Sequence, residues 1–244
     1  MDSLTVGLEN LMRENVVNRH GSLAHSHSIY NPLSERSLRG WYECSRAVAH
    51  LLTAHHIDLA PLRILDLGCG TGDWLRWFAE LRGSSDGLTG VDYNAEPLAW
   101  ARAVSPIEYV QGDMSKIGKL LSNRQFDMLT AFVSFMFLRD LDEVAVVMRQ
   151  ARQLTTKGGY FLIQEVNGKR HEGDYSGYPR AALQATIEAA GYRLLGARGL
   201  FKHVFGIRRL NTAWHVYGWN RALLPLIEWL PGTDVQSLLL FQTD

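Results

Sequence analysis

The 244-residue sequence predicts an α/β fold, a doubly wound and mostly parallel sheet flanked by helices. Three observations carry that expectation. Short apolar runs alternate with helix-like stretches from residue 63 onward, which is the pattern of a parallel sheet with crossover helices. The first apolar run, Ile64-Leu65-Asp66-Leu67, opens into alternate glycines at Gly68, Gly70 and Gly72. The second, Leu88–Val91, ends in an acid, Asp92. In such sheets ligands lie outside the carboxyl ends of the strands, where these glycines and acids fall.

The elements follow in order. Residues 1–35 are polar and irregular, with His20, His25 and His27, and Pro32 breaks any helix. Trp41, Cys44, Val48, Leu51 and Leu52 recur at helical spacing and predict a helix over 38–54. Strands are expected at 63–67, 88–92, 107–111 and 126–133, with helices at 73–82, 95–103 and 115–121 between them. Asn94, with Pro97 beyond it, marks one helix start. Val144, Val147, Met148, Ala151 and Leu154 give the next helix an apolar face over 140–154, and Gly158-Gly159 turns into a strand at 160–165. A helix over 179–190 stops at Gly191, and a strand follows at 192–198. The remainder divides into an aromatic insertion, 199–232, and a last strand near 238–242. The expected layout is therefore one domain: an N-terminal helical cap over 1–60, a core over 61–198, the insertion with added helices, and a closing segment over 233–244.

Composition narrows the function. Charges balance, with 25 acidic and 25 basic residues, which argues against a polyanion-binding protein. The basic run Lys202–Arg209 is short enough to be a solvated face or an anion contact. Two cysteines, Cys44 and Cys69, supply neither a zinc site nor a disulfide framework nor an iron–sulfur cluster, and no metal is expected. Cys69 lies inside the glycine turn as a small filler. The N-terminus lacks the pattern of a signal peptide, and no apolar run reaches the roughly 18–20 residues of a membrane span, so a cytoplasmic protein without integral membrane association is expected.

The glycine turn suits a nucleoside carrying an acidic group. Bare main chain allows close approach, and the helix N-terminus behind it favours a carboxylate. A dinucleotide fingerprint would need glycine where Asp73 stands, and no lysine is near to make a P-loop. Asp92 stands where such folds hold a ribose diol, and Gly112-Asp113-Met114 offers a polar tip beside an apolar side chain for an adenine. Asp66-x-Gly-x-Gly-x-Gly72, Val91-Asp92, Gly112-Asp113 and Lys157-Gly158-Gly159 together resemble the successive motifs of the class I S-adenosylmethionine (SAM)-dependent methyltransferases, over roughly residues 60–195. The resemblance implies a Rossmann-like sheet of seven strands with SAM as cofactor. It places Asp66, Gly68, Gly70 and Gly72 against the methionine moiety, Asp92 at the ribose, and Asp113 and Met114 at the adenine, with Cys69 and Tyr93 also among the cofactor-binding residues. Phe132 and Tyr30 complete the expected cofactor contacts.

The acceptor is less plainly written. An oxygen acceptor needs a base for its proton, whereas a nitrogen acceptor needs only to arrive neutral. Residues 131–137, Ala-Phe-Val-Ser-Phe-Met-Phe, are not the Asp/Asn-Pro-Pro-Tyr/Phe signature that grips a planar amine, and no Pro-Cys nucleophile is present; nucleic acid is not expected as substrate. Many small-molecule relatives carry a His-His pair at the positions held here by Met136 and Phe137. A base must then come from elsewhere. Glu165, at the tip of a strand, is the first candidate and His171 the second, with Asp174, His203, His215, His25, His27 and Tyr30 behind them. The insertion, with Phe201, Phe205, Trp214, Tyr217, Trp219 and Trp229, either caps the sheet edge, lines a pocket for a bulky or planar acceptor, or rests on a membrane. Its apolar end at Leu230-Pro231 is loosely similar to methyltransferases of natural-product and surface-polysaccharide pathways. The reading is methyl transfer to a small molecule, at an oxygen in a secondary-metabolite or glycan pathway. N-methylation of an amino sugar or amino acid, and SAM binding without transfer in a regulator or cyclase, stand as alternatives. A homodimer stays open.

Overall fold

A computed structural model of the chain describes residues 35–168, 177–204 and 232–244. A helix, α1 (Glu35–Ala54), precedes a seven-stranded sheet of order β3-β2-β1-β4-β5-β7-β6. Strands β1 (Ile64–Leu67), β2 (Leu88–Asp92), β3 (Glu108–Gln111), β4 (Phe126–Phe132) and β5 (Thr155–Val166) run parallel. Strand β7 (Gly232–Thr243) is antiparallel to both β5 and β6 (Tyr192–Val204). Helices α2 (Asp73–Arg82), α3 (Ala95–Val104), the one-turn α4 (Ile117–Leu120), α5 (Leu141–Leu154) and α6 (Arg180–Ala189) fill the crossovers.

The central strands are buried along their length, so their sequences are continuous apolar runs rather than alternations. Two apolar layers result. One joins the sheet to α5 and α6 through Phe161, Met148 and Ile187; the other joins it to α1, α2 and α3 through Val48, Phe78 and Leu98. Helix α5 starts where Asp140 accepts a hydrogen bond from the Glu143 N–H at 2.8 Å.

Three expectations need correction. The stretch expected as a helix at 115–121 is a 3₁₀ turn, Met114–Lys116, followed by the short α4. Asp113 draws the Ser115 N–H onto its own carboxylate at 2.8 Å, which starts a tight turn before α-helical bonding begins. Strand β5 begins at Thr155 rather than 160, directly after α5. It pairs Thr155 with Phe126, slips register, and resumes with Tyr160 opposite Met128, so Gly158-Gly159 lies in a bulge within the strand.

The third correction concerns the end of the chain. Strand β6 runs six residues past Arg198, and β7 begins at Gly232; they pair from Tyr192↔Thr243 to Val204↔Gly232. Both ends of the expected 199–232 insertion therefore belong to the sheet. Gly199, the first residue of that expected insertion, is a strand residue where a Cβ would run into the Asp234 carboxylate. Residues 205–231, which hold Phe205, Trp214, His215, Tyr217, Trp219 and Trp229, lie outside the described residues, as do 1–34 and 169–176. Among the described residues no helix is long and apolar enough to cross a membrane, and no cluster of three or more His, Cys, Asp or Glu could hold a metal.

Candidate functional site

The glycine turn between β1 and α2 is fixed from beneath and open above. The Gly68 and Cys69 N–H groups both donate to the Val91 carbonyl, at 2.8 and 3.0 Å, which lashes the turn to β2. Gly68 has a φ of 73°, and a Cβ there would meet the Ser134 side chain. Gly72, at φ 75°, leaves room for the Tyr109 hydroxyl. Gly70 differs from both: a Cβ there would meet nothing within 4 Å. Two glycines thus let the turn pack down, and the one between them presents backbone to open space. Arg76, one turn into α2, donates to the Thr71 carbonyl and the Asp73 carboxylate and lies 4.9 Å over the Trp100 ring, which holds the far side of the turn.

Two acids flank this turn. Asp66 is buried and accepts a hydrogen bond from Thr130 Oγ1 at 2.7 Å. Burial pushes its carboxyl up to about 7, and the negative charge of Asp92 pushes the same way. Asp92 spends one oxygen on the Gly70 N–H and the other on the Asn94 N–H, both at 2.8 Å, while burial raises its carboxyl as well. A cationic group laid against the turn would relieve both acids. Cys69 is buried, and burial raises its thiol well above the ordinary range, so it is held as a neutral filler. Met114 reaches under Gly68, beside Ser134.

The segment after β4 forms the next wall. Phe132 stacks on Trp74, with centroids 3.9 Å apart and planes 10° apart, and Trp41 of α1 lies 4.6 Å from Trp74. Val133 sits at a φ of 54°, a strained conformation for a β-branched residue. Its N–H is held by the Gln164 carbonyl at 2.7 Å, and the next residue, Ser134, donates from Oγ to the Leu67 carbonyl at 2.7 Å. The strained residue therefore lies between two clamps, one to β5 and one to β1.

Residues 64–159 match a family model described as a methyltransferase domain. Over those residues the chain is similar to methyltransferase domains, and its fold is similar to those of SAM-dependent methyltransferases of Mesorhizobium loti and Archaeoglobus fulgidus, at 20% and 15% identity and TM-score 0.57 for both, over 79% and 81% of this chain and 96% and 94% of those. It is 31% identical over 116 residues to a demethylmenaquinone methyltransferase of Lactococcus lactis subsp. lactis, covering 45% of this chain and 44% of that one. It is 33% identical over 99 residues to a 2-phytyl-1,4-naphtoquinone methyltransferase of Thermosynechococcus vestitus, covering 39% and 42%. The chain thus spans less than half the length of either relative. In fold it is similar to the magnesium protoporphyrin IX methyltransferase of Synechocystis PCC 6803, at TM-score 0.62 and 12% identity over 96% of this chain and 97% of that one.

Against that methyltransferase frame, Asp66, Gly68, Cys69, Gly70, Gly72 and Asp92 come together at the strand ends, with Met114 beneath Gly68. Tyr93 follows Asp92 and is half exposed, and Asp113 caps the turn after β3. Phe132 flanks the glycine turn two residues before Ser134. Glu165 is buried at the tip of β5, where one oxygen accepts from the Met136 N–H at 3.0 Å and the other from the Val166 N–H at 2.8 Å. Tyr30, His171, Asp174, His25, His27 and His215 lie outside the described residues, and the side chain of His203 is not described.

Sequence reasoning missed Trp74, Trp41, Ser134, Tyr109 and Arg76. Trp74 alone carried a signal, since it stands two residues past the glycine turn at the start of α2. Arg76 reaches the turn through the nearby Thr71 and Asp73, and Trp41, Ser134 and Tyr109 through long-range packing that no local pattern announces.

Proposed function

We propose that the chain is an enzyme that binds SAM at the glycine turn and transfers its methyl group to a small-molecule acceptor, at an oxygen in a secondary-metabolite or glycan pathway. The carrying observation is the open backbone at Gly70 between a buried carboxylate, Asp66, and a partly buried one, Asp92, both held in place before any ligand arrives. SAM supplies an electrophilic methyl on a sulfonium. Asp92 retains lone pairs for the ribose hydroxyls beside its two amide contacts, and Asp66 offers its charge to the methionine ammonium. Asp113 and Met114 bracket the adenine, with Tyr93, Phe132 and Tyr30 completing the cofactor contacts. In-line displacement depends on alignment and exclusion of water, and the Trp41–Trp74–Phe132 wall serves both.

Of the two residues singled out for proton removal, Glu165 is placed beside the post-β4 loop. Two amide N–H groups, of Met136 and Val166, hold its carboxylate in place. Its proposed roles are to hold the loop at Met136 and to act as one candidate base; His171 is the other proposed base. The relatives named for a demethylmenaquinone and a 2-phytyl-1,4-naphtoquinone support a flat, apolar acceptor. Incubation of the purified chain with SAM and a panel of phenolic, quinol and amino-sugar acceptors tests the proposal. Acceptor-dependent formation of S-adenosylhomocysteine is expected; SAM binding with no turnover on any acceptor would leave the chain as a SAM-binding protein without transfer.

A further inference from the structure

Gln164 on β5 is buried, with 4% of its surface exposed, yet its Oε1 has no hydrogen-bond partner among the described residues. Its Nε2 donates to Gln236 Oε1 at 2.6 Å and to Cys44 Sγ at 3.2 Å. Turning the amide over does not cure this. The oxygen would then face Gln236 and Cys44, and the nitrogen would be left alone instead. Either way one polar atom of a buried amide is unpaired, which folded proteins seldom tolerate without a reason.

Its neighbours indicate what that reason is. Gln164 pairs with Phe132 on β4 and with Leu238 on β7, so the three side chains share one face of the sheet. Phe132 carries the Trp74 ring, and Trp41 lies one helical turn before Cys44 on α1. The amide is thus the polar end of an apolar, aromatic wall. Its own carbonyl holds Val133, the residue before Ser134, which packs under Gly68. Two strand spacings separate Gln164 from β1, about 10 Å across the sheet, or roughly the length of two fused rings.

We propose that Gln164 reads the acceptor: its amide binds a hydroxyl of a flat, largely apolar molecule that lies along Phe132 and Trp74 with its reacting atom toward Gly68. A hydroxyl both donates and accepts, so it satisfies the amide in either orientation. The ligand enters between α1 and the strand tips and displaces the Cys44 thiol, the weaker of the two partners now on Gln164. This assignment rests on the methyltransferase reading and adds the residue that selects the substrate.

The test uses the full chain saturated with S-adenosylhomocysteine and two probes, 2,6-dihydroxynaphthalene and 2,6-dimethoxynaphthalene, titrated by calorimetry. The wild type is expected to favour the diol at least tenfold. Gln164→Leu is expected to erase that preference while changing S-adenosylhomocysteine affinity less than twofold, and Gln164→Met serves if the leucine variant does not fold. Equal binding of the two probes to the wild type, binding of neither, or a preference that survives in the variant would overturn the role of Gln164. Failure of the wild type to bind S-adenosylhomocysteine would overturn the methyltransferase reading instead.

Discussion

The two halves of the site are built in different ways. On the β1–β2 side, the cofactor turn is made from residues close in sequence, Gly68 to Arg76, plus Asp92 at the end of the adjacent strand. Its polar contacts run largely through backbone N–H groups and fixed acids. On the β4–β5–β7 side, the wall is assembled from α1, α2 and three strands, through side chains as distant as Cys44 and Gln164. The first half is a rigid cradle that suits one ligand shared by many proteins. The second is a surface of rings and amides that can change residue by residue without disturbing the turn. On the proposed reading donor recognition is thereby separated from acceptor recognition, and mutations in the two halves should have separable effects.

Asp92→Ala should produce the largest change. It removes both the acceptor for the Gly70 N–H and the proposed ribose contact, and losing charged hydrogen bonds of this kind costs about 1.5–3 kcal/mol. At least a tenfold weaker dissociation constant for S-adenosylhomocysteine is expected by calorimetry, with acceptor preference intact. Unchanged affinity would remove Asp92 from the cofactor half.

Glu165→Gln should act on the other half. A few-fold loss of turnover is expected, with cofactor affinity within twofold, because the loop clamp at Met136 is weakened while the turn is untouched. The pH–rate profile sharpens the comparison: an unchanged profile fits a positioning role, and loss of its acidic limb would make Glu165 the base.

The smallest effect is on pH dependence. The Asp66 carboxyl is raised to about 7 by burial, above its unfolded value. The stability it contributes is therefore fully present below the unfolded value near 4 and is lost as pH rises through about 7. The thermal midpoint of the ligand-free chain should fall by a few degrees between pH 5 and 8, with Asp92 contributing in the same direction. Cofactor affinity should rise over the same interval as Asp66 ionises, and Asp66→Asn should flatten that rise.

The same division governs what could be read from the sequence. Helix α2 and strand β2 match their expected ends residue for residue, because Gly72, Gly83 and Asp92 are local signals that act where they stand. Strands β6 and β7 were underestimated because their outer halves are defined by each other. Gly199 looks like a loop residue until β7 is placed beside it, with Ser237 across from it and the Asp234 carboxylate against its Cα. The bulge at Gly158-Gly159 was likewise hidden, since it depends on the register against β4. In the site, the glycines and acids were legible as a motif. Trp41, Tyr109 against Gly72, Ser134 and the unpaired amide of Gln164 were not, because each owes its role to a residue far along the chain.

Calorimetric titration of the ligand-free chain with S-adenosylhomocysteine and, separately, with NAD tests the cofactor site most directly. Single-site binding of S-adenosylhomocysteine at micromolar affinity is expected, with no heat from NAD. Binding of NAD, or silence with both, would contradict a SAM site at the glycine turn.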